Sequence, residues 1–228
     1  MLDKDPRQIR SMFASVSHRY DTANRVLSMR FDVAWRKRVS RQLLSAPGRV
    51  LDLAAGTGDL TVDLVRYGGH DVVSADFTYE MLAHGQLKVR EHAPDAVQVA
   101  ADALSLPFRP GSFDGVSVAF GVRNFHDPLQ GLREIRRVLR PGGALGVLEF
   151  SMPRQPLRFV YGIYFTHILP AIGGLITGTR SPYEYLPASV QTFPEGEAFL
   201  ALMKDAGFKN NVAARMSGGI VTFYRGEA

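Results

Sequence analysis

Between positions 49 and 149 the chain alternates short runs of consecutive apolar residues with longer stretches in which apolar side chains recur every three or four positions. The short runs at 49–53, 71–76, 96–100, 115–120 and 144–150 read as strands, and the stretches between most of them as helices. Strand and helix in alternation predict an α/β fold whose mainly parallel sheet is covered on both faces. Pro141-Gly142-Gly143 marks a sharp helix stop ahead of the fifth strand. Further on, 195–206 reads as a helix ended by Gly207, and 208–213 and 219–225 as two late strands, a hairpin that closes the sheet edge. Upstream, Ile9, Met12, Phe13, Val16 and Tyr20 share one helical face, so residues 1–48 form a helical cap that either moves as a lid or packs permanently on the sheet.

A different pattern fills about 152–192. Residues 159–179 carry no charge, which by length alone is a membrane-span candidate. Pro170 with Gly162, Gly173, Gly174 and Gly178, and the polar Thr166 and His167, argue for two short apolar helices around Pro170 instead. Such an insertion forms a hydrophobic wall, an interfacial patch or an ordinary buried hairpin. With 228 residues and 46% hydrophobic content the chain supports one core, hence a single domain over 1–228.

Composition narrows the chemistry. The absence of cysteine excludes disulfides and thiolate metal sites, and the polar, mixed-sign start of the chain gives no sign of secretion, so the cytoplasmic side is the default. A net charge of +5 permits attraction to anionic lipid or nucleic acid. Arg25, Arg30, Arg36, Lys37, Arg38 and Arg41 crowd one segment beside Tyr20, Phe31 and Trp35, a set suited to a headgroup surface; no nucleic-acid motif accompanies it. Arg133, Arg136, Arg137 and Arg140 read as the solvent face of a helix near its C-terminal end.

The most informative stretch is 50–59, where an apolar strand breaks into the turn Gly56-Thr57-Gly58 and then a helix. Glycines there let backbone approach a ligand, and the helix amides can donate to it. Asp76 follows at the end of the second strand, about 20 residues on, where a Rossmann-like fold sets a carboxylate against a ribose diol. Asp102 follows the third strand. A dinucleotide fingerprint would need a third glycine where Thr61 stands, and Asp59 places negative charge where a diphosphate would lie. An acidic turn suits a cationic ligand such as S-adenosylmethionine.

Several separate motifs then point one way. They are Phe13-Ala14-Ser15-Val16-Ser17-His18-Arg19-Tyr20-Asp21 with Asn24, the 50–61 block, Leu106-Pro107-Phe108 with Ser112-Phe113-Asp114, and Phe120-Gly121-Val122-Arg123-Asn124. Arg137-Val138-Leu139-Arg140-Pro141-Gly142-Gly143, Leu148-Glu149-Phe150-Ser151, Tyr183-Glu184-Tyr185-Leu186 through Ser189, and Phe193-Pro194 complete the set. In these the chain resembles the S-adenosylmethionine-dependent methyltransferases of menaquinone and ubiquinone biosynthesis over nearly its whole length. Met29-Arg30 departs from that family, which commonly has a small residue after the serine, and Ala119 stands where some relatives carry a serine.

The resemblance implies a class I, Rossmann-like methyltransferase with a seven-stranded sheet. It implies C-methylation of a demethylmenaquinol, with a ubiquinone precursor as a further acceptor. Another lipophilic or phenolic acceptor, or a non-catalytic S-adenosylmethionine-binding protein, are the alternatives. The cofactor set is Asp52, Ala54, Gly56, Thr57, Gly58, Asp76, Phe77, Met81, Asp102, Ala103 and Ala119. Methyl transfer from a sulfonium needs no leaving-group acid, so the enzyme must activate and align the acceptor. Arg123 would stabilise a quinolate oxygen or order a water, with Asn124 orienting the ring and Tyr20 and His126 handling protons; the structural alternative for Arg123 is an ion pair with a carboxylate such as Asp127. The six histidines are scattered and no metal is expected. Partners implied are a polyprenyl quinol and, peripherally, the inner membrane surface; a homodimer is allowed.

Overall fold

The structure, a computed structural model, describes residues 5–228; the first four positions of the expected cap lie outside them. Seven strands form one sheet: β1 (Arg49–Leu53), β2 (Asp71–Asp76), β3 (Val97–Ala100), β4 (Phe113–Ala119), β5 (Leu139–Phe150), β6 (Lys209–Met216) and β7 (Val221–Glu227). Their order is β3-β2-β1-β4-β5-β7-β6. The first five pair in parallel, and β7 runs antiparallel to both β5 and β6. The expected α/β fold with a C-terminal antiparallel hairpin is therefore the observed one. Strand order reverses between β1 and β4, and open sheets of this type bind ligands beyond the strand C-termini at such a point.

Alternation along β1 divides the core. Leu51 and Leu53 join Val116, Val118, Leu132 and Phe199 on one face, while Val50 joins Trp35, Val39, Leu43 and Leu64 on the other. The chain-order helices are α1 (Pro6–Val16), α2 (Tyr20–Leu27), α3 (Phe31–Gln42), α4 (Asp59–Gly68), α5 (Tyr79–His92) and α6 (Pro128–Val138). After β5 come α7 (Leu157–Ile163), α8 (Leu169–Thr177), α9 (Ser181–Thr192) and α10 (Glu197–Asp205). Asp5 caps α1 by accepting from the Arg7 amide, and Asp127 caps α6 through the Gln130 amide.

Three local expectations are corrected. Pro141-Gly142-Gly143 does not separate helix from strand: α6 ends at Val138 and β5 already begins at Leu139, with Gly142 at φ 77 and a register shift opposite Phe113–Gly115. Pro170 does not split the insertion. Leu157–Thr177 is one 21-residue helix, because a π-helical stretch at Tyr164–Ile168 precedes the proline and absorbs the missing donor. By length and composition it could cross a membrane, yet Phe165 and Leu169 bury against Ala23, Leu27, Tyr183 and Val190. The first arginine cluster is not one surface. Arg36 is 6% exposed, and it and Arg25 turn inward onto carboxylates while Arg30, Arg38 and Arg41 stay outside.

Candidate active site

A cavity opens over the C-terminal ends of β1, β2 and β4. Its floor is backbone. Ala54 after β1 and Phe120 after β4 both take left-handed φ, 56 and 59, which turns each strand end away from the space above. Gly121 is required there, since a Cβ would come within 2.5 Å of that of Ala54. Gly56 lines the cavity at φ 58, and Gly58 at φ 81 starts α4.

Asp76 ends β2 at the cavity wall. One carboxylate oxygen accepts from the Gly56 amide at 2.8 Å and the other from the Thr78 amide at 2.7 Å. Burial raises its pKa, and these two backbone donors oppose the rise. Each oxygen keeps a further lone pair for a ligand hydroxyl. Asp102 is fixed in the same way by the Leu104 amide at 2.9 Å and also lines the cavity, with Ala103, Phe77, Met81, Ala54 and Ala119.

Asp52, Thr57 and Gly58 are near but do not line it. Asp52 lies under the turn, 1% exposed, accepting from the Thr61 hydroxyl at 2.6 Å while its other oxygen has no partner. Burial and neighbouring Asp76 raise it to about 7 against the opposing Thr61 bond and Arg36. Thr57 turns its hydroxyl to Asp21 at 2.5 Å, and its carbonyl sits so close to Gly85 that a Cβ on Gly85 would lie 2.2 Å away.

The acidity of the turn has a different meaning from the one the sequence suggests. Asp59 pairs with Arg25 at 2.8 Å, Lys88 at 2.7 Å and Arg36 at 3.3 Å. Burial alone would raise Asp59, but Arg36, Lys88 and Arg25 outweigh it and hold it at about 2. Arg36 and Arg25 also hold Asp32, and Lys88 holds Asp21 at 2.7 Å. The charge of Asp59 is thus spent on fastening α2 and α3 to α4 and α5, and it does not face the cavity. What argues against a phosphate-bearing cofactor is the lining itself, which among the described residues contains no lysine or arginine.

Tyr20, Asn124 and His126 line the cavity with Ile9, Phe13, Phe120 and Phe125; Arg123 does not. Arg123 is 5% exposed and donates to Glu149 at 2.8 Å and to the Phe120 carbonyl. Its partner is Glu149, not Asp127. Glu149 is fully buried and also accepts from the Arg123 amide at 3.1 Å and the Phe150 amide at 3.2 Å, so one carboxylate fixes both the guanidinium and the turn that carries Asn124. An acid inside the otherwise apolar stretch 144–150 was the available signal for it. Burial raises the Tyr20 phenol, while Asn24 and the positive charge of Arg123 pull it back. The Asn124 side-chain oxygen is buried without a partner and so free to receive a donor from a ligand. Among the described residues no cluster of acidic and histidine side chains could hold a metal ion.

The model of the ubiE/COQ5 methyltransferase family matches residues 1–227 of the chain. The chain belongs to that family. The ubiE/COQ5 assignment agrees with curated relatives. A demethylmenaquinone methyltransferase of Thermus thermophilus is 48% identical over 200 residues, covering 86% of this chain and 91% of that protein. A ubiquinone/menaquinone biosynthesis C-methyltransferase UbiE of Geobacter sp. is 39% identical over 99% of this chain and 98% of its own. Among solved structures, an S-adenosylmethionine-dependent methyltransferase of Thermotoga maritima aligns over 95% of this chain and 98% of its own, with a TM-score of 0.68 at 18% identity. A Haemonchus contortus phosphoethanolamine N-methyltransferase, solved with S-adenosyl-L-methionine, aligns over 86% of this chain and 52% of its own at a TM-score of 0.61 and 15% identity. As a ubiE/COQ5 member this chain is an S-adenosylmethionine-dependent methyltransferase, and the cavity with carboxylates near two strand ends fits that cofactor.

Proposed function

We propose that the chain methylates a ring carbon of a demethylmenaquinol, a ubiquinone precursor being a second acceptor of the same type. The observation that supports this acceptor is the lining, where among the described residues apolar Ile9, Phe13, Phe120 and Phe125 accompany the polar side chains of Tyr20, Asn124 and His126. An uncharged aromatic ring with hydroxyl substituents matches such a lining. Curated relatives named for demethylmenaquinone methylation point to the same class.

Asp76 would hold the cofactor's ribose hydroxyls and Asp102 the adenine edge, over the backbone floor at Ala54, Gly56 and Ala119, with Phe77, Met81 and Ala103 as walls. Asp52, Thr57 and Gly58 contribute by shaping the turn. Bound there, S-adenosylmethionine supplies an electrophilic methyl group on a sulfonium. The protein's task is to exclude water, orient the ring and accept a phenolic proton, which raises the ring carbon's nucleophilicity. Asn124 offers its unpartnered oxygen to a ring hydroxyl. Tyr20 and His126 are the lining groups able to pass a proton. Arg123 acts as a positioning residue: with Glu149 it fixes the Val122–Asn124 turn, and its charge favours the Tyr20 phenolate.

The acceptor carries a polyprenyl tail, so the enzyme works at a membrane surface, on the cytoplasmic side. Labelled S-adenosylmethionine incubated with the enzyme and reduced demethylmenaquinone should place label on a ring carbon. Label on oxygen, or none with this quinol but transfer to another phenol, would overturn the acceptor. Light scattering of the same preparation distinguishes a monomer from a homodimer.

A further inference from the structure

Between α2 and α3 the chain turns a corner in which Met29 and Arg30 both adopt left-handed backbone, φ 50 and 65. Each holds a conformation that glycine takes without strain. The corner is braced nonetheless: the Met29 and Arg30 amides donate to Val26 and Arg25 carbonyls at 3.1 and 2.9 Å, and the Ser28 hydroxyl to Asp32 at 2.6 Å. What this rigid corner displays is apolar, with Met29 72% and Phe31 51% exposed.

A second apolar surface adjoins it. The Tyr164 hydroxyl donates to the Leu27 carbonyl at 2.6 Å, and Trp35, which stacks on Phe31, donates to Ser217 beside Gly218, where Leu157 of α7 packs. On α7, Phe159 is 70% and Val160 64% exposed. Arg30, Arg154 and Arg158 are exposed around these groups and have no carboxylate partner among the described residues. No aspartate or glutamate occurs between Phe150 and Glu184.

The geometry points to this paired surface, the Met29–Phe31 corner and the outer face of α7, as the part of the protein that enters an anionic lipid surface. Apolar side chains would sink among the acyl chains while the arginines meet headgroup phosphates. Charge complementarity selects lipid over a second copy of the chain, whose own basic rim would face this one. The strain at Arg30 is explained as well, since glycine would relax the corner but remove a cation from the membrane face. This surface rests on the proposed membrane-borne acceptor and names where that membrane is met.

The test is sedimentation of the full chain with vesicles of phosphatidylcholine alone and with roughly one third phosphatidylglycerol. Binding should need the anionic lipid, and the pair Met29→Ser with Phe159→Ser should weaken it by at least about tenfold. Arg30→Gly should weaken it about fivefold while raising the urea midpoint, a combination that a purely structural residue would not give. Equal binding to both vesicles, binding unchanged in the variants, or a shift in oligomeric state instead would overturn the surface. Methyl transfer to a short-tailed quinol in free solution, measured on the same proteins, should be unchanged. Its absence in the unsubstituted protein would remove the acceptor reading alone, because vesicle binding is measured without acceptor.

Discussion

Asp52→Asn should make the protein more stable at pH 8 and less stable at pH 4. Asp52 is 1% exposed and its carboxyl is raised from 3.8 to about 7, by burial first and by Asp76 next. In the unfolded chain the carboxyl loses its proton near 3.8. Between that value and about 7 the unfolded state is therefore charged and the folded state is not, so stability falls as pH rises across this window and levels off above it. At ~1.36 kcal/mol per pH unit the loss from this one group is roughly 4 kcal/mol. Asparagine keeps an acceptor for the Thr61 hydroxyl but sets an amide donor where Asp52 has an unpartnered oxygen, at a cost of about 1–3 kcal/mol. The net gain at pH 8 is then about 1–3 kcal/mol. Urea unfolding from pH 4 to 8 measures it. Asp63 is raised too but titrates alike in both proteins and cancels in the difference, while Asp76, which repels the ionised Asp52, is relieved of that repulsion in the variant. A variant less stable than the parent at pH 8, or a difference that does not change with pH, would refute the reasoning.

Asp76→Ala should weaken S-adenosylmethionine binding by about 1–3 kcal/mol in calorimetric titration, since charge-assisted bonds to two hydroxyls are lost; unchanged affinity in a folded variant would remove Asp76 from the cofactor site. Arg36→Met leaves Asp32, Asp59 and Asp63 short of a cation and should cost about 3–5 kcal/mol in urea unfolding. Gly85→Ala drives a methyl into the Thr57 carbonyl 2.2 Å away, so stability should drop by about 1–3 kcal/mol and cofactor affinity with it. Glu149→Gln should lower turnover with cofactor affinity nearly intact and shift the pH profile of turnover through Tyr20, whereas a purely structural role would appear as lost thermal stability with an unmoved profile.

Periodicity was enough to read the sheet, because strands buried on both faces are apolar throughout and strand-end carboxylates stand out against them. Asp76 and Asp102 were legible for that reason. Side-chain pairing across long separations was not. Asp59 looked like part of a ligand site because its three cations lie at positions 25, 36 and 88, and nothing local in sequence joins them. Arg123 suggested a catalytic cation for the same reason: Asp127 is its near neighbour in sequence, while Glu149, its partner in space, comes from the adjacent strand. Pro170 misled differently, since a π-helical stretch supplies a way through the proline that residue propensities do not encode.

The ion-pair cluster that ties Asp21 to Lys88 and Arg25 to Asp59 spans 67 and 34 positions along the chain. During synthesis α2 leaves the ribosome long before α5 exists, so Asp21 has no cation to meet. A helix made before α5 is thus fixed in place only after it. A nascent chain stalled before Lys88 should bear an N-terminal segment open to protease, and the complete chain should not. The fastening of α2 would in this way be timed by how far translation has run.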